Sequence, residues 1–388
     1  MESNLPVAPI YDLKVKKDDL VVATHGRAFW ILDDLTPLRQ AASVHNGKSA
    51  VLFPPRETER LTLGWSVNAF RGPGKNYMMG LGSAITFTEI KGEGGEQRRI
   101  MLDAGENPPQ GVIIYYWLNE QPTSPIALTI LDKDNNEIKR FTSKLANDAD
   151  ATNKNAKSDG KQEDDPNAIL PAKAGLNRFI WDMRYPEATK VPGDLTTQNV
   201  ISTTGPRAAT GDYVVQLTIG ETTQTECFRI SADPRVGVTQ EAMDAQFALW
   251  QQIRDKVDET HQGINKLRKI RKQLDIWSEQ AGDNKQIVDA AAVIKEKLTS
   301  IEDELIQTKV ATAGDRLRVP ARLNTRLIGL ISIVAAADAK PPKQAYDVYG
   351  HLSGQIDNQL ALLDGIIGDD LAAFNDLVLA AKVTPVSI

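Results

Sequence analysis

The chain of 388 residues is long enough for two or three domains, and its 41% hydrophobic and 25% charged content is that of an ordinary globular protein. A net charge of −6 removes the usual electrostatic attraction to nucleic acid or anionic lipid. The single cysteine, Cys227, excludes an internal disulfide, and no run approaches the roughly 20 apolar residues that cross a bilayer as a helix.

Met1-Glu2-Ser3-Asn4 has neither the basic start nor the apolar core of a signal peptide, so the chain taken literally is expected to be cytoplasmic. Residues Tyr11 to Leu35 read as three short strands. Val21, Ala23, Phe29 and Ile31 alternate with their neighbours at period two, and His25-Gly26-Arg27 supplies a turn. Three strands make a sheet only if something covers its apolar face and edges, and no further strand of this kind follows. Residues 1–40 are therefore expected to be a remnant of the last blade of a β-propeller whose other blades are missing.

Residues 41–109 read as a connector. It passes Pro54-Pro55 and a glycine-rich stretch from Gly64 to Gly82, with short strand candidates at Ala84–Ile90 and Arg98–Leu102. Residues 110–232 read as an antiparallel β-sandwich. Its strand candidates are Val112–Leu118, Ile126–Leu131, Glu137–Phe141, an alternating run through Phe179, Trp181 and Met183, another through Tyr213, Val215, Leu217 and Ile219, and Glu226–Ile230. Two insertions interrupt it. The first, about 146–168, is too polar to order itself and is expected to be a mobile loop. The second, Val191 to Thr210, is expected to be a surface loop.

After Asp233-Pro234-Arg235 the apolar period changes from two to about 3.5, and residues 238–380 are expected to form an antiparallel helical bundle. Thr239 is placed to cap a first helix whose seam runs from Phe247 to Trp277 and breaks near Thr260. At nearly 40 residues it would extend about 55–60 Å. A second seam runs from Ile287 to Leu305, a third from Leu323 to Val334, and a fourth from Ala345 to Ile367.

Signals of chemistry are weak throughout. Asp132-x-Asp134-x-Asn136 opens like a calcium loop, but Glu137 stands where Gly is needed and Ser143 where Glu is needed, so a hairpin turn is favoured. Gly72-Pro73-Gly74-Lys75 and Gly80-Leu81-Gly82 match neither phosphate-loop spacing, and no helix follows them. His25, His45, His261 and His351 show no metal spacing, and Cys227 has no partner; His261 and His351, next to helical seam positions, are read as interfacial polar residues rather than ligands. The adjacent pairs Asp33-Asp34, Asp164-Asp165 and Asp369-Asp370 remain; neighbours on a strand point to opposite faces, so Asp33 and Asp34 are read as closing the blade. Lys266, Arg268, Lys269, Arg271 and Lys272 face either solvent or the acidic Glu302, Asp303 and Glu304 of the next helix. No catalytic residue, metal ligand or cofactor site is assigned.

The runs Leu5–Gln40, Gly74–Phe87, Leu102–Leu118, Leu170–Pro186 and the helical tail from Asp233 resemble the C-terminal part of bacterial sortilin-like and sialidase-like BNR-repeat propeller proteins, often labelled glycosyl hydrolases. The sandwich resembles the Ig-like domain of flagellar hook-capping proteins, with Asn177, Trp181 and Asp182 in the matching strand. The resemblance implies a secreted or periplasmic parent built of a propeller, a sandwich and helices. Propeller Asp-boxes and central-channel residues are absent, so no catalytic position carries over. The function expected is a non-catalytic accessory region that docks its own N-terminal propeller or a protein partner. The alternatives are a part of a glycan-directed hydrolase with its active site on the missing blades, or a freestanding adaptor.

Overall fold

The computed structural model describes residues 5, 7–40, 48–61, 75–80, 83–91, 97–102, 111–144, 169–196, 204–312 and 314–383. The chain combines antiparallel β-sheets with a set of α-helices and divides into two compact units, Met1–Met183 with Thr210–Val236, and Arg184–Ala209 with Gly237–Ile388. The sequence insertion at about 146–168 lies outside the described residues.

In the first unit, β1 (Ile10–Lys16), β2 (Asp19–Thr24) and β3 (Phe29–Leu32) form a three-stranded antiparallel sheet. Its first turn places Lys17 at φ 54°, which matches the right-handed strand twist of a tight hairpin. A single helical turn, α1 (Thr36–Arg39), follows with Pro37 near its start.

The rest of this unit is built on two facing sheets. One has the order β11 (Glu137–Thr142), β10 (Ile126–Leu131), β13 (Gly211–Ile219), β14 (Thr222–Ala232), β5 (Thr58–Arg60); the other runs β12 (Gly175–Trp181), β9 (Val112–Leu118), β4 (Ala50–Leu52). Phe141 meets Phe179 at 4.6 Å between ring centroids, and Trp181 meets Tyr213 at 5.8 Å and Phe228 at 6.1 Å. Alternation explains this: Asn177, Phe179 and Trp181 point inward while Leu176, Arg178 and Ile180 point out. The segment read as a connector supplies two strands of this pair of sheets. At three residues each, β4 and β5 are too short to carry a period. A separate antiparallel meander, β6 (Lys75–Gly80), β7 (Ser83–Lys91) and β8 (Gln97–Met101), lies between them and β9 in sequence.

The second unit is helical: α2 (Gln240–Gln280), α3 (Lys285–Leu305), α4 (Leu323–Val334), α5 (Lys343–Gly365) and α6 (Leu371–Ala380). Thr239 Oγ1 accepts from Ala242 N at 3.2 Å, the cap expected of it. With 41 residues α2 spans about 60 Å and forms the spine. Side-chain ties give the directions. Lys295 bonds Asp275 and Arg268 bonds Glu302, so α3 runs antiparallel to α2. Gln246 bonds the Val334 carbonyl and His261 meets Asn324, so α4 is antiparallel to α2 as well. Tyr349 bonds the Gln252 carbonyl and Lys256 bonds Asp357, so α5 runs parallel to α2. α3 and α4 follow one another antiparallel along α2, separated by the segment 306–322, which contains Pro320 and a short 3-10 turn at Asp315–Leu317. A five-residue wide turn, Ile366–Asp370, joins α5 to α6.

The second sequence insertion is not surface decoration in its described part. Residues 184–196 form a strap on the helices, and Ala188 and Val191 are buried in the same apolar cluster as Leu249, Ile253, Val257 and Ile264.

Candidate functional site

Two features of the fold concentrate exposed or polar groups, one in each unit. The first is the β1–β3 sheet. Register puts Leu13, Val22 and Trp30 on one face, together with Val15, Leu20 and Leu32. The other face carries Val21 and Ile31, and Ala23 and Phe29. The first face is apolar throughout, whereas the second also carries Asp12, Lys14 and Lys16 of β1, opposite Ala23, Val21 and Asp19. Yet Leu13 is 59% exposed, Ile31 61% and Phe29 74%, and every residue of β1 is exposed. Among these side chains only Val22 is buried.

Acidic and basic side chains fasten this sheet at one end. Asp34 N donates to Asp19 Oδ1 at 3.0 Å, and Asp34 Oδ1 accepts from Thr36 N at 3.0 Å. Arg56 pairs with Asp19 at 3.0 Å, and Arg39 with Asp18. Asp34 is buried with φ 65°, and its second oxygen has no hydrogen-bond partner. Burial, then the Asp19 charge, raises the Asp33 carboxyl above its ordinary range, with Arg56 and Arg178 pulling the other way. Burial likewise raises the Tyr115 hydroxyl. Tyr115 and Arg178 are cross-strand partners on β9 and β12. Asp33 and Asp34 both follow the end of β3, and Asp34 is engaged in the turn, its main-chain N–H with Asp19 and its carboxylate with Thr36 N.

The second feature is the strap. Along α2, Phe247, Trp250, Asp258, His261, Asn265 and Arg268 recur at helical spacings and meet it in order. Phe247 meets Tyr185 in a tilted ring pair at 4.8 Å, and Trp250 takes the Arg184 guanidinium at 5.8 Å. Asp258 accepts from Thr189 N at 2.6 Å, and His261 Nδ1 meets the Thr189 carbonyl. Asn265 donates to the Lys190 carbonyl at 3.0 Å and Arg268 to the Pro192 carbonyl at 2.9 Å. These last four side chains read main-chain atoms. Burial raises the Asp258 carboxyl, but its bonds from Thr189, with Arg254 and Gln262, outweigh that and hold it below the ordinary range.

Beyond Pro192, residues Gly193, Asp194 and Leu195 wall a cleft of about 320 Å³ against Arg268, Arg271, Glu302 and the start of the 306–322 excursion. The Glu302 side chain is 4% exposed, with Arg268 Nε and an Arg271 terminal nitrogen each 2.6 Å from its two oxygens. Two guanidiniums against Glu302 and Asp194 leave this lining with no net formal charge.

The sequence candidates divide accordingly. Of the basic stretch, Arg268 and Arg271 pair across to Glu302, while Lys266 reaches Asp364 at 3.8 Å. Asp132 accepts from Asp134 N at 2.8 Å and Asn136 N at 2.9 Å, which is a hairpin turn. His25 lies against Tyr11 at 5.0 Å, His351 is exposed, and Cys227 is an exposed free thiol. The structure brings none of these together. His45, Gly72–Gly74, Leu81, Gly82, Asp164 and Asp165 lie outside the described residues. Among the described residues no group of three or more His, Cys, Asp and Glu is placed to hold a metal ion, and no helix is long and apolar enough to cross a membrane. Sequence reasoning missed the strap contacts. Their traces in the sequence were the seam break near Thr260 and His261 beside the seam, where a polar residue at an interface is expected.

No family model, curated protein or solved structure matches the chain.

Proposed function

We propose that this chain is a non-catalytic interaction region of a propeller-type protein, with β1–β3 acting as a blade that packs between neighbouring blades. The observation that carries the reading is the large apolar side chains that this sheet leaves exposed, Leu13 and Val15 on one face and Phe29 and Ile31 on the other. A contiguous apolar surface of this kind marks an interface. The fastening of the sheet by Asp19, Asp34 and Arg56 supports the same reading, since it presents the blade on a fixed base. In this reading the two facing sheets are an Ig-like sandwich, the helices an accessory bundle, and the parent is sortilin-like or sialidase-like and extracytoplasmic.

An immunoblot of source cells with an antibody against the helical unit tests this. A band well above the mass of these 388 residues is expected, and propeller blades should be found in that polypeptide or co-purify with it. Introducing Leu13→Asp and Ile31→Asp together should abolish the association without lowering the stability of the sandwich. A lone band of 388 residues that binds no other chain would overturn the reading.

A further inference from the structure

The strap is gripped at one residue from both sides. Asp258 takes the Thr189 N–H, and His261, one turn later on α2, takes the Thr189 carbonyl. A carbonyl only accepts, so Nδ1 carries hydrogen whether the ring is neutral or charged. The other ring nitrogen, Nε2, lies 2.9 Å from Asn324 Oδ1. An imidazolium satisfies that oxygen as it stands. A neutral ring presents a lone pair there, which is satisfied when the Asn324 amide turns over and donates. Asn324 is fully buried and its Nδ2 has no partner, so no hydrogen bond from that nitrogen fixes the amide's direction. Both ring nitrogens can therefore be hydrogen-bonded in either form of the ring.

We propose that His261 is a proton-operated clasp on the strap: proton uptake tightens its grip on Thr189 and so fixes the wall that Gly193–Leu195 give the cleft. A charged imidazolium donates a stronger hydrogen bond to a carbonyl than a neutral ring does, and its Nε2 then donates to Asn324 Oδ1 in place of accepting from the amide. The charges around it leave this role to it. Asp258 is engaged with Thr189 N at 2.6 Å and Gln262 at 2.7 Å. On the strap, Glu187 and Lys190 pair with each other at 3.7 Å. At the start of α4, Arg322 pairs with Glu304 at 3.4 Å and Arg326 donates to the Ala321 carbonyl at 3.1 Å.

Hydrogen exchange at the strap amides of the full chain, corrected for the intrinsic rate, tests the clasp at about pH 8 and about pH 5.5, either side of the ordinary imidazole range. Protection at Thr189 is expected to rise at least about threefold on acidification, the size of a fraction of one charge-assisted hydrogen bond. In Asn324→Leu the strap should stay bound and the rise should vanish. Nitrogen-15 signals of the wild-type ring give an independent check, with the Nδ1–H tautomer expected at the higher pH. Equal protection at both pH values, a fall on acidification, a rise that survives in Asn324→Leu, or the Nε2–H tautomer would each overturn the proposal.

Discussion

At the scale of single residues, close approach and charge pairing make the sharpest claims. A Cβ added at Gly111 would lie 2.4 Å from the Trp181 carbonyl oxygen and 2.7 Å from Ile180 Cγ2, both too near to stand without a shift of the strand. Gly111→Ala is thus expected to lower the stability of the sandwich by about 1–3 kcal/mol, the usual cost of overpacking, as read from a denaturant midpoint. Glu302 tells a different story. Removing its charge leaves two arginines facing each other beside a buried amide, and Glu302→Gln should cost about 2 kcal/mol. That lies below the roughly 3–5 kcal/mol of a wholly buried pair because Arg268 and Arg271 are each about a third exposed. A helical circular-dichroism melt would show it. The pairing itself was legible as one of two options, since a basic run and an acidic run on consecutive helices have only each other or water. The grip of His261 on Thr189 was not legible, because main-chain acceptors carry no sequence signal.

Elements were legible in proportion to their length. Val112–Leu118 and Ile126–Leu131 stand in the structure with those very ends, since seven and six residues suffice to show a buried strand. The apolar seams likewise marked α2 to α5. Three-residue strands and the strap escaped notice for the same reason, that two or three side chains define no period. The strap is an element nonetheless. Val191→Asp would place an unpaired carboxylate in the buried apolar cluster of the helices, and is expected to lower their melting temperature by several degrees. Val191→Ile should be tolerated far better, and an equal loss in both would mean that the strap position does not depend on burial. Parallel packing of α2 and α5 rests partly on Lys256, which sits between Asp357 at 2.6 Å and Glu259. Burial lowers its ammonium, but its bonds to Asp357 and Glu259 outweigh that and raise it overall.

Across the whole molecule, acid is the informative perturbant. Asp258 is held below the ordinary carboxylate value of 3.8 in the folded chain. A group depressed in this way contributes stability above its unfolded value and loses it as pH falls through the folded one. The helical unit should therefore weaken below about pH 4, and Asp258→Asn should flatten that acid limb while leaving stability lower at neutral pH. Urea midpoints taken at several pH values between neutrality and about pH 3 would show whether the limb belongs to this carboxylate.

The passage of the chain from the sheets of the first unit to the strap, back to those sheets, and then to the helices also sets an order for its birth. A ribosome delivers residues 184–196 well before α2, so the strap emerges with nothing to lie on. Strands β13 and β14, which close the five-stranded sheet, come out next, and only afterwards does the groove formed by Trp250, Asp258 and His261 exist. The strap must then wait, tethered at both ends, until α4 brings Asn324 to complete its seat. Until α2 is made, Ala188 and Val191 lack the apolar residues of that helix with which they are buried, so a chain paused within α2 leaves both without that cover.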